Sequence, residues 1–181
     1  MGSSAAPGEL ESIRGFVNTV EIEDGRDPNA GPDGLEAWCA ARGTALTGPE
    51  DASLLRGFRE ALRAALEANH SDAGRAAGWQ SLEPYAARAS YGLCIAQDGR
   101  LQLIARGDGA QALIAELLAV VYDAVRDGTW PRLKACRKQT CRWAFYDRSK
   151  NGSGAWCSMA VCGNRVKAQR RRLSRKNAPE K

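Results

Sequence analysis

Four cysteines near the C-terminus constrain the fold of this chain more than any other feature of its sequence. They form two C-x4-C pairs, Cys136 with Cys141 and Cys157 with Cys162, separated by a gap long enough for a hairpin. Two such pairs can surround one Zn2+ tetrahedrally, and a closed shell of four sulfurs leaves no position open for a substrate or an activated water. The pattern therefore predicts one structural zinc ion that takes no part in catalysis.

A pair of disulfides is the alternative interpretation of the same four cysteines. Residues 1–20 show no basic segment followed by an apolar run, which is the pattern of an export signal. In a reducing compartment, closely spaced cysteines are more often metal ligands than disulfides. We therefore expect a cytoplasmic protein and favour the metal over the disulfides.

Charge is distributed unevenly along the chain. Residues 1–130 contain 11 Arg, no Lys and 19 Asp or Glu, a formal charge of −8, whereas residues 131–181 contain 15 Lys or Arg and two acidic residues, a formal charge of +13. A zinc ion with four thiolates carries a charge near −2, which Arg137, Lys138 and Arg142 can partly balance. The remaining positive charge predicts a polyanionic partner, because each neutralised phosphate releases condensed counterions.

Length and hydrophobic pattern predict an α+β protein with two parts. At 181 residues and 44% hydrophobic content, the chain can form one ordinary core and a small appended module. No apolar stretch approaches the roughly 20 residues that span a bilayer. We expect a mainly helical domain with one β-hairpin over residues 1–130, able to sense a ligand or to dimerise. A zinc module with a hairpin and a C-terminal helix is expected over residues 131–181.

Hydrophobic spacing places helices in the N-terminal part at about residues 9–21, 35–42, 47–69 and 110–126. On the third of these, Arg59 and Arg63 fall among polar residues predicted to face solvent. Residues 24–34 have the composition of a loop. Alternating residues on both sides of Asp98-Gly99 predict a β-hairpin over about residues 91–105.

The C-terminal helix is expected from about Cys162 to Ser174. Val166, Gln169 and Leu173 share one side of it and are predicted to pack on the zinc core, which leaves the basic residues on its other sides. An Arg-rich helix on a zinc knuckle is suited to binding in a nucleic-acid groove. The basic run at residues 170–176 has an equally good alternative as a solvated tail that only raises nonspecific affinity.

Several further residues are candidates for binding. The predicted nucleic-acid contacts are Arg142, Arg148, Lys150, Asn164, Arg165, Lys167, Arg171 and Arg172. The aromatic residues Trp143, Phe145, Tyr146 and Trp156 either stack on bases or cover the zinc site, and the small size of the module favours the second role. Asn18 is a candidate ligand contact in the N-terminal domain, with a hydrogen bond at the end of its helix as the alternative.

The cysteine-rich segment resembles a known family, the CGNR zinc fingers. The tetrapeptide that defines that family is present as Cys162-Gly163-Asn164-Arg165, and the similarity extends over residues 136–149 and 156–167, roughly a quarter of the chain. The preceding domain resembles the ABATE domain that accompanies this finger, most clearly at residues 16–19. The resemblance implies four zinc-binding cysteines and bacterial stress-induced transcription regulators, with RNA binding also proposed for such proteins.

These observations lead to one main hypothesis and two alternatives. The main hypothesis is a regulator that binds duplex DNA through the zinc module, with an N-terminal domain that senses a small molecule or forms a homodimer. The first alternative is an RNA-binding protein that uses the same basic surface. An enzyme is the least favoured, because the sequence contains one His, no evident acid–base pair and no phosphate-binding glycine loop.

Overall fold

The computed structural model describes residues 5–20 and 34–176, so most of the predicted loop at residues 24–34 lies outside the described residues. The helices and strands, in chain order, are α1 Leu10–Val17, α2 Leu35–Ala40, α3 Pro49–Ala68, α4 Asp72–Ala86, β1 Ser90–Ile95, β2 Leu101–Arg106, α5 Gly109–Arg126, β3 Leu133–Ala135, β4 Ala144–Tyr146 and α6 Asn164–Lys176. No described helix is both long enough and apolar enough to cross a membrane. The architecture is α+β, as the sequence predicts.

Helix α3 is the central element of the fold. It begins with Pro49, and Glu50 and Asp51 lie in its first turn, where a fixed φ and negative charge both favour a helix start. Its apolar stripe is fully buried and consists of Leu55, Phe58, Leu62 and Leu66. The helix packs against α1, α4 and α5 and thereby forms the middle of the core.

The sequence-based prediction was wrong for two arginines of α3. Arg59 and Arg63 were expected to face solvent, but their exposed fractions are 5% and 0%. Arg59 donates to the hydroxyl of Thr19, and Arg63 donates to a backbone carbonyl of the same α1 end. Polar partners on neighbouring elements therefore make their burial possible.

Helix α4 was not predicted because it lacks an apolar stripe. Only Gly78 and Leu82 are buried on it, and it contains Pro84. Ser71 caps its N-terminus by accepting a hydrogen bond from the backbone N–H of Gly74 at 3.1 Å. Gly78 allows close packing on α3, because a Cβ at this position would lie 2.8 Å from the Cβ of Ala68.

Strands β1 and β2 form the predicted hairpin. They pair antiparallel with Leu93 opposite Leu103, and the turn between them includes Asp98 and Gly99, whose φ is +80°. The Tyr91 hydroxyl donates to the carbonyl of Ala115 at 3.1 Å and ties the hairpin to α5.

The hydrophobic core continues past residue 130 into the cysteine-rich segment. Strands β3 and β4 pair antiparallel, and Leu133 and Ala144 are fully buried in the same apolar cluster as the residues of α1, α3 and α5. Trp130, which precedes β3, is buried and stacks on Trp79 of α4, with ring centroids 5.7 Å apart. The β3–β4 hairpin therefore belongs to the main core by packing.

Candidate metal centre and nucleic-acid interface

The two cysteine pairs come together as the sequence predicts. The four Sγ atoms of Cys136, Cys141, Cys157 and Cys162 all lie within 4.8 Å of one another. Cys157 Sγ lies 3.7 Å from Cys141 Sγ and 3.6 Å from Cys162 Sγ. A Zn–S bond of about 2.3 Å gives a tetrahedral S–S edge of about 3.8 Å, so the cluster fits a tetrahedral ion with four sulfur ligands. All six cysteines are free thiols in the structure, which favours the metal over the disulfide alternative.

Short turns place the ligand sulfurs. Cys136 follows β3 directly, and the backbone N–H of Cys141 donates to the carbonyl of Lys138 at 2.8 Å, which closes the first knuckle. The second knuckle is a π-helical turn, Met159–Gly163, which Ser158 caps by accepting from the N–H of Val161. Gly163 leaves room for the side chains that pack on this turn, because a Cβ there would lie 2.5 Å from Met159 Sδ and 3.1 Å from Trp156 Cδ1.

Proton affinities differ strongly within the cluster. Hydrogen bonds from Cys141 and Cys157 lower the pKa of Cys136 to about 2. Hydrogen bonds to Cys136 and Cys141 raise the pKa of Cys157 far above its ordinary value, and burial raises the pKa of Cys162 to about 12. Thiols this close ionise together only when a cation compensates their charge, and a divalent metal held by the four sulfurs would supply that charge.

The four aromatic residues of this segment point inward. Trp143 and Trp156 are partly buried and pack against the cysteine cluster. Phe145 and Tyr146 are buried, and Tyr146 belongs to the main core. The prediction that the aromatics cover the metal site is therefore confirmed for Trp143 and Trp156, whereas Tyr146 packs in the main core instead. Burial removes Phe145 and Tyr146 as surfaces for stacking bases.

Asn18 joins α1 to the free edge of β4. Its Nδ2 donates to the carbonyl of Ala144 at 2.9 Å, and its Oδ1 accepts from the N–H of Ala144 at 2.7 Å. The side-chain amide thus pairs with β4 as a neighbouring strand would. Both polar ends of Asn18 are used in this way, so the side chain has a structural role here, and its contact with a ligand stays a prediction.

Arg63 connects three parts of the molecule. Its Nη1 donates to the carbonyl of Arg142 at 2.7 Å, and its Nη2 donates to the carbonyl of Val17 at 2.6 Å. Burial lowers the pKa of Arg63, although the nearby Glu60 carboxylate opposes this effect. The carbonyl of Arg142 lies immediately after Cys141, so Arg63 supports the first knuckle from within the core.

Arg142 itself is paired with the acidic face of α3. Its Nε donates to Glu67, and its Nη1 lies 3.9 Å from a carboxylate oxygen of Glu60. The residue has a φ of +48°, a conformation that non-glycine residues rarely adopt. Its charge is compensated within the chain, so we omit Arg142 from the nucleic-acid contacts that we propose.

The end of α3 holds β3 from the other side. Asn69 Nδ2 donates to the carbonyls of Trp130 and Leu133 at 3.0 and 2.9 Å. His70 Nε2 forms a hydrogen bond of 2.7 Å with the carbonyl of Ala135, the residue before Cys136. Burial lowers the pKa of His70, so at neutral pH the ring is an uncharged donor to that carbonyl.

A buried ion pair organises the loop between β4 and the second knuckle. Lys134 Nζ lies 2.9 Å from Asp147 Oδ2, and each side chain is only 3% exposed. The N–H groups of Ser149 and Gly154 donate to the same carboxylate, and Lys134 Nζ also donates to the carbonyl of Gly152. Burial opposes ionisation of Asp147, but these hydrogen bonds outweigh it and hold the pKa of Asp147 well below its ordinary value.

The basic residues of this loop lie on its outer side. Arg148 and Lys150 are exposed, and the Arg148 guanidinium lies over the Tyr146 ring at 5.6 Å from its centroid. Arg132 donates to the carbonyls of Asp147 and Ser149 and thereby holds the loop backbone. The loop therefore presents two cations from a backbone that is fixed by buried charges.

Helix α6 extends away from the core. Among the described parts of the chain, it packs mainly against the π-helical turn before it. Its described basic side chains are exposed and comprise Arg165, Lys167, Arg170, Arg171 and Arg172, and Asn164 at its start is exposed as well. Leu173 is 54% exposed and Gln169 is exposed, so the prediction that they pack on the zinc core is wrong. Val166 is partly buried.

Sequence reasoning did not identify the buried polar residues that support the site. In the sequence, Lys134 and Asp147 look like ordinary members of a basic segment, and Asn69 looks only like the end of a helix. One signal was present, since Asp147 is the only acidic residue between Pro131 and Pro179. A single carboxylate in such a stretch is a reasonable candidate for a structural ion pair.

Comparison with protein families agrees with this geometry. Residues 132–175 match the model of the CGNR zinc finger, and residues 15–127 match the ABATE model, described as "Putative stress-induced transcription regulator". A search of curated proteins found no match to this chain. Because the ABATE model covers more than half of the chain, the protein belongs to the ABATE family and carries a CGNR zinc finger after the ABATE domain.

Proposed function

We propose that this protein is a transcription regulator that binds duplex DNA, with one structural zinc ion that fixes a basic helix and a basic loop on the protein surface. Cys136, Cys141, Cys157 and Cys162 are the proposed ligands. The supporting observation for zinc is the close four-sulfur cluster, because thiolate sets of this kind favour zinc over magnesium or calcium. The closed shell gives the ion a structural role.

The observation that carries the proposal is the exposed positive charge of α6 and of the loop at residues 148–154. Residues 148–176 contain nine Lys or Arg and no acidic residue. Helix α6 begins two residues after the ligand Cys162 and has 13 residues, which correspond to about 20 Å of helix. A helix of this kind fits the major groove of B-DNA, which is about 12 Å wide.

The proposed contacts are the exposed polar and basic residues of these two elements. They are Arg148, Lys150, Asn164, Arg165, Lys167, Arg170, Arg171 and Arg172. Recognition of single-stranded RNA has less support, because such recognition commonly stacks bases on exposed aromatic rings. In the described part of the finger, two aromatic rings are buried and two pack against the cysteines.

The first experiment selects fragments of the source genome with the purified, zinc-loaded protein at two salt concentrations, with single-stranded RNA as competitor. We expect enrichment of a defined duplex site that persists at the higher salt concentration. Binding that is blind to sequence and lost at the higher salt, or a preference for the RNA, would contradict the DNA regulator and support the RNA alternative. The stoichiometry of the bound complex distinguishes one chain per site from two.

A second experiment tests the helix itself through the salt dependence of affinity. The double variant Arg171→Gln, Arg172→Gln removes two exposed cations and should reduce the slope of log K against log salt by about 1.8. The matched control is Arg126→Gln on α5, which removes an exposed cation outside the finger and should leave the slope unchanged. Equal slopes for the wild type and the double variant would exclude these two residues from the interface.

A further inference from the structure

A cleft in the ABATE domain lies between α2, the segment that follows it and the start of α3. Its volume is about 540 Å3, within the range of small-molecule sites. The walls are mostly small or apolar and include Ala40, Leu46 and Ala52. The two charged residues that line it are Glu36 of α2 and Arg56 of α3.

Arg56 is the unusual member of this lining. Its Nε is buried and has no hydrogen-bond partner among the described residues. A buried donor without an acceptor costs free energy, and such a group commonly marks the position of a ligand, an ion or a water. A guanidinium that lines a cleft is also the side chain best suited to a carboxylate, which accepts from two of its nitrogens at once.

The other features of the cleft narrow the class of ligand. Gly48, at the start of α3, offers no side chain to cap the helix, and both Gly48 and Pro49 line the cleft. The N-terminus of α3, which is the positive end of its dipole, therefore borders this space. Glu36 provides one negative charge on the opposite element. A ligand with both a carboxylate and an amino group would compensate both charges, whereas a dianion would be repelled by Glu36.

We infer that this cleft binds a small amino carboxylate with a short apolar side chain, with its carboxylate on Arg56 and its amino group toward Glu36. The inference goes beyond nucleic-acid binding and does not depend on it. It assigns a specific place to the small-molecule effector that the sequence suggests for the N-terminal domain.

The test measures binding of two probes, L-valine and isovalerate, to the zinc-loaded full chain by calorimetry without nucleic acid. These probes have the same branched chain and carboxylate and differ in the amino group. We expect saturable binding of both, with valine tighter, and Arg56→Gln should weaken both by about tenfold or more. Glu36→Gln should remove the preference for valine and leave isovalerate unchanged.

Two controls separate loss of binding from loss of structure. Arg126→Gln makes the same chemical change on another helix and should leave both affinities unchanged. Ala40→Leu fills the cleft from an exposed position and should also abolish binding, with an unchanged melting temperature. Absence of saturation at tens of millimolar probe, equal affinity in Arg56→Gln, or tighter binding of isovalerate than of valine would each overturn the inference. None of these outcomes bears on DNA binding, so the two proposals fail separately.

Discussion

At the scale of single residues, a small set of polar side chains attaches the metal-binding segment to the helical domain. Asn18 pairs with β4, Asn69 holds the carbonyls around β3, and Arg63 holds the carbonyl after Cys141. Each of these groups satisfies a backbone atom that would otherwise be buried without a partner. Removing one of these side chains therefore lowers the free energy of unfolding in two ways. The hydrogen bond is lost, and the backbone atom stays buried without a partner.

Asn18→Ala should destabilise the protein by about 1–3 kcal/mol, because both the N–H and the carbonyl of Ala144 lose their partner. The free energy of unfolding of the zinc-loaded protein, measured in denaturant, checks this value. Gln111→Ala is a suitable control, since Gln111 is an exposed residue of α5. Equal stability of the Asn18 variant and the wild type would show that the amide clamp contributes nothing.

Asp147→Asn should destabilise the protein by about 3–5 kcal/mol at neutral pH, because the charge of Lys134 remains buried without its partner. The folded-state pKa of Asp147 lies below its unfolded value, so its stabilising contribution is complete above the unfolded pKa and decreases as the pH falls toward the folded pKa. The difference in unfolding free energy between wild type and variant should thus be constant from about pH 8 to 5.

The same difference should shrink only below about pH 4, which is the ordinary pKa of an Asp in an unfolded chain. Denaturation curves of both proteins are measured at each pH, and the two unfolding free energies are subtracted. Acid effects that both proteins share, including protonation of the thiols, then cancel. A difference that decreases between pH 8 and 5 would contradict the depressed pKa. The exposed Asp127→Asn variant provides the control for the substitution itself.

At the scale of elements, α6 and the 147–154 loop differ in how their structure is maintained. The loop is held by the Lys134–Asp147 pair and by Arg132, so its outer cations sit on a fixed backbone. Helix α6 is anchored at Cys162 and then extends from the body with exposed side chains. Its orientation relative to the rest of the molecule therefore depends on the second knuckle.

Leu173→Ala should change stability by less than about 0.5 kcal/mol, because Leu173 is 54% exposed and lies beyond the packed part of α6. Leu133→Ala serves as the positive control, since Leu133 is fully buried in β3 and its truncation should cost about 2–5 kcal/mol. Thermal unfolding of both variants measures the contrast. A large loss for Leu173→Ala would indicate that α6 folds back on the metal-binding segment.

At the scale of the whole molecule, the finger and the helical domain share one core. Leu133, Ala135, Ala144 and Tyr146 lie in the same apolar cluster as the residues of α1, α3 and α5. The cysteine cluster with Trp143 and Trp156 forms a second, smaller cluster beside it. Removal of the metal should therefore affect the two halves of the finger differently.

In the metal-free protein, or in Cys157→Ser, the second knuckle and α6 should lose protection from hydrogen exchange. Strands β3 and β4 should keep most of theirs, because they are held by the main core and by Asn18 and Asn69. A helix of 13 residues is marginal in water once its anchor is lost. Hydrogen exchange measured by mass spectrometry on chelator-treated protein checks the pattern.

Cys94→Ser provides the matched control for this experiment, because Cys94 lies outside the cluster on β1 and should affect neither metal content nor protection. If β3 and β4 lost as much protection as residues 155–163, the conclusion that the two strands belong to the main core would be contradicted. Full zinc content in Cys157→Ser would exclude Cys157 as a ligand.

The sequence alone determined the features that depend on local pattern. The cysteine spacing predicted the thiol cluster, Asp98-Gly99 predicted the turn of the first hairpin, and the apolar stripe of α3 predicted its buried face. Helix α4 was not predicted because its apolar residues do not form a helical stripe and because its position depends on Gly78 packing against α3. The segregation of charge was likewise visible without any structure.

Only the tertiary structure decided which polar residues are buried and what they do. Arg63 looks like a solvent-facing residue in the helical pattern of α3, but its partners Val17 and Arg142 are 46 and 79 residues away in the sequence. Asn18 meets Ala144 at a separation of 126 residues. Hydrogen bonds of this kind depend on which backbone groups the fold leaves unpaired nearby, and local periodicity carries no information about that.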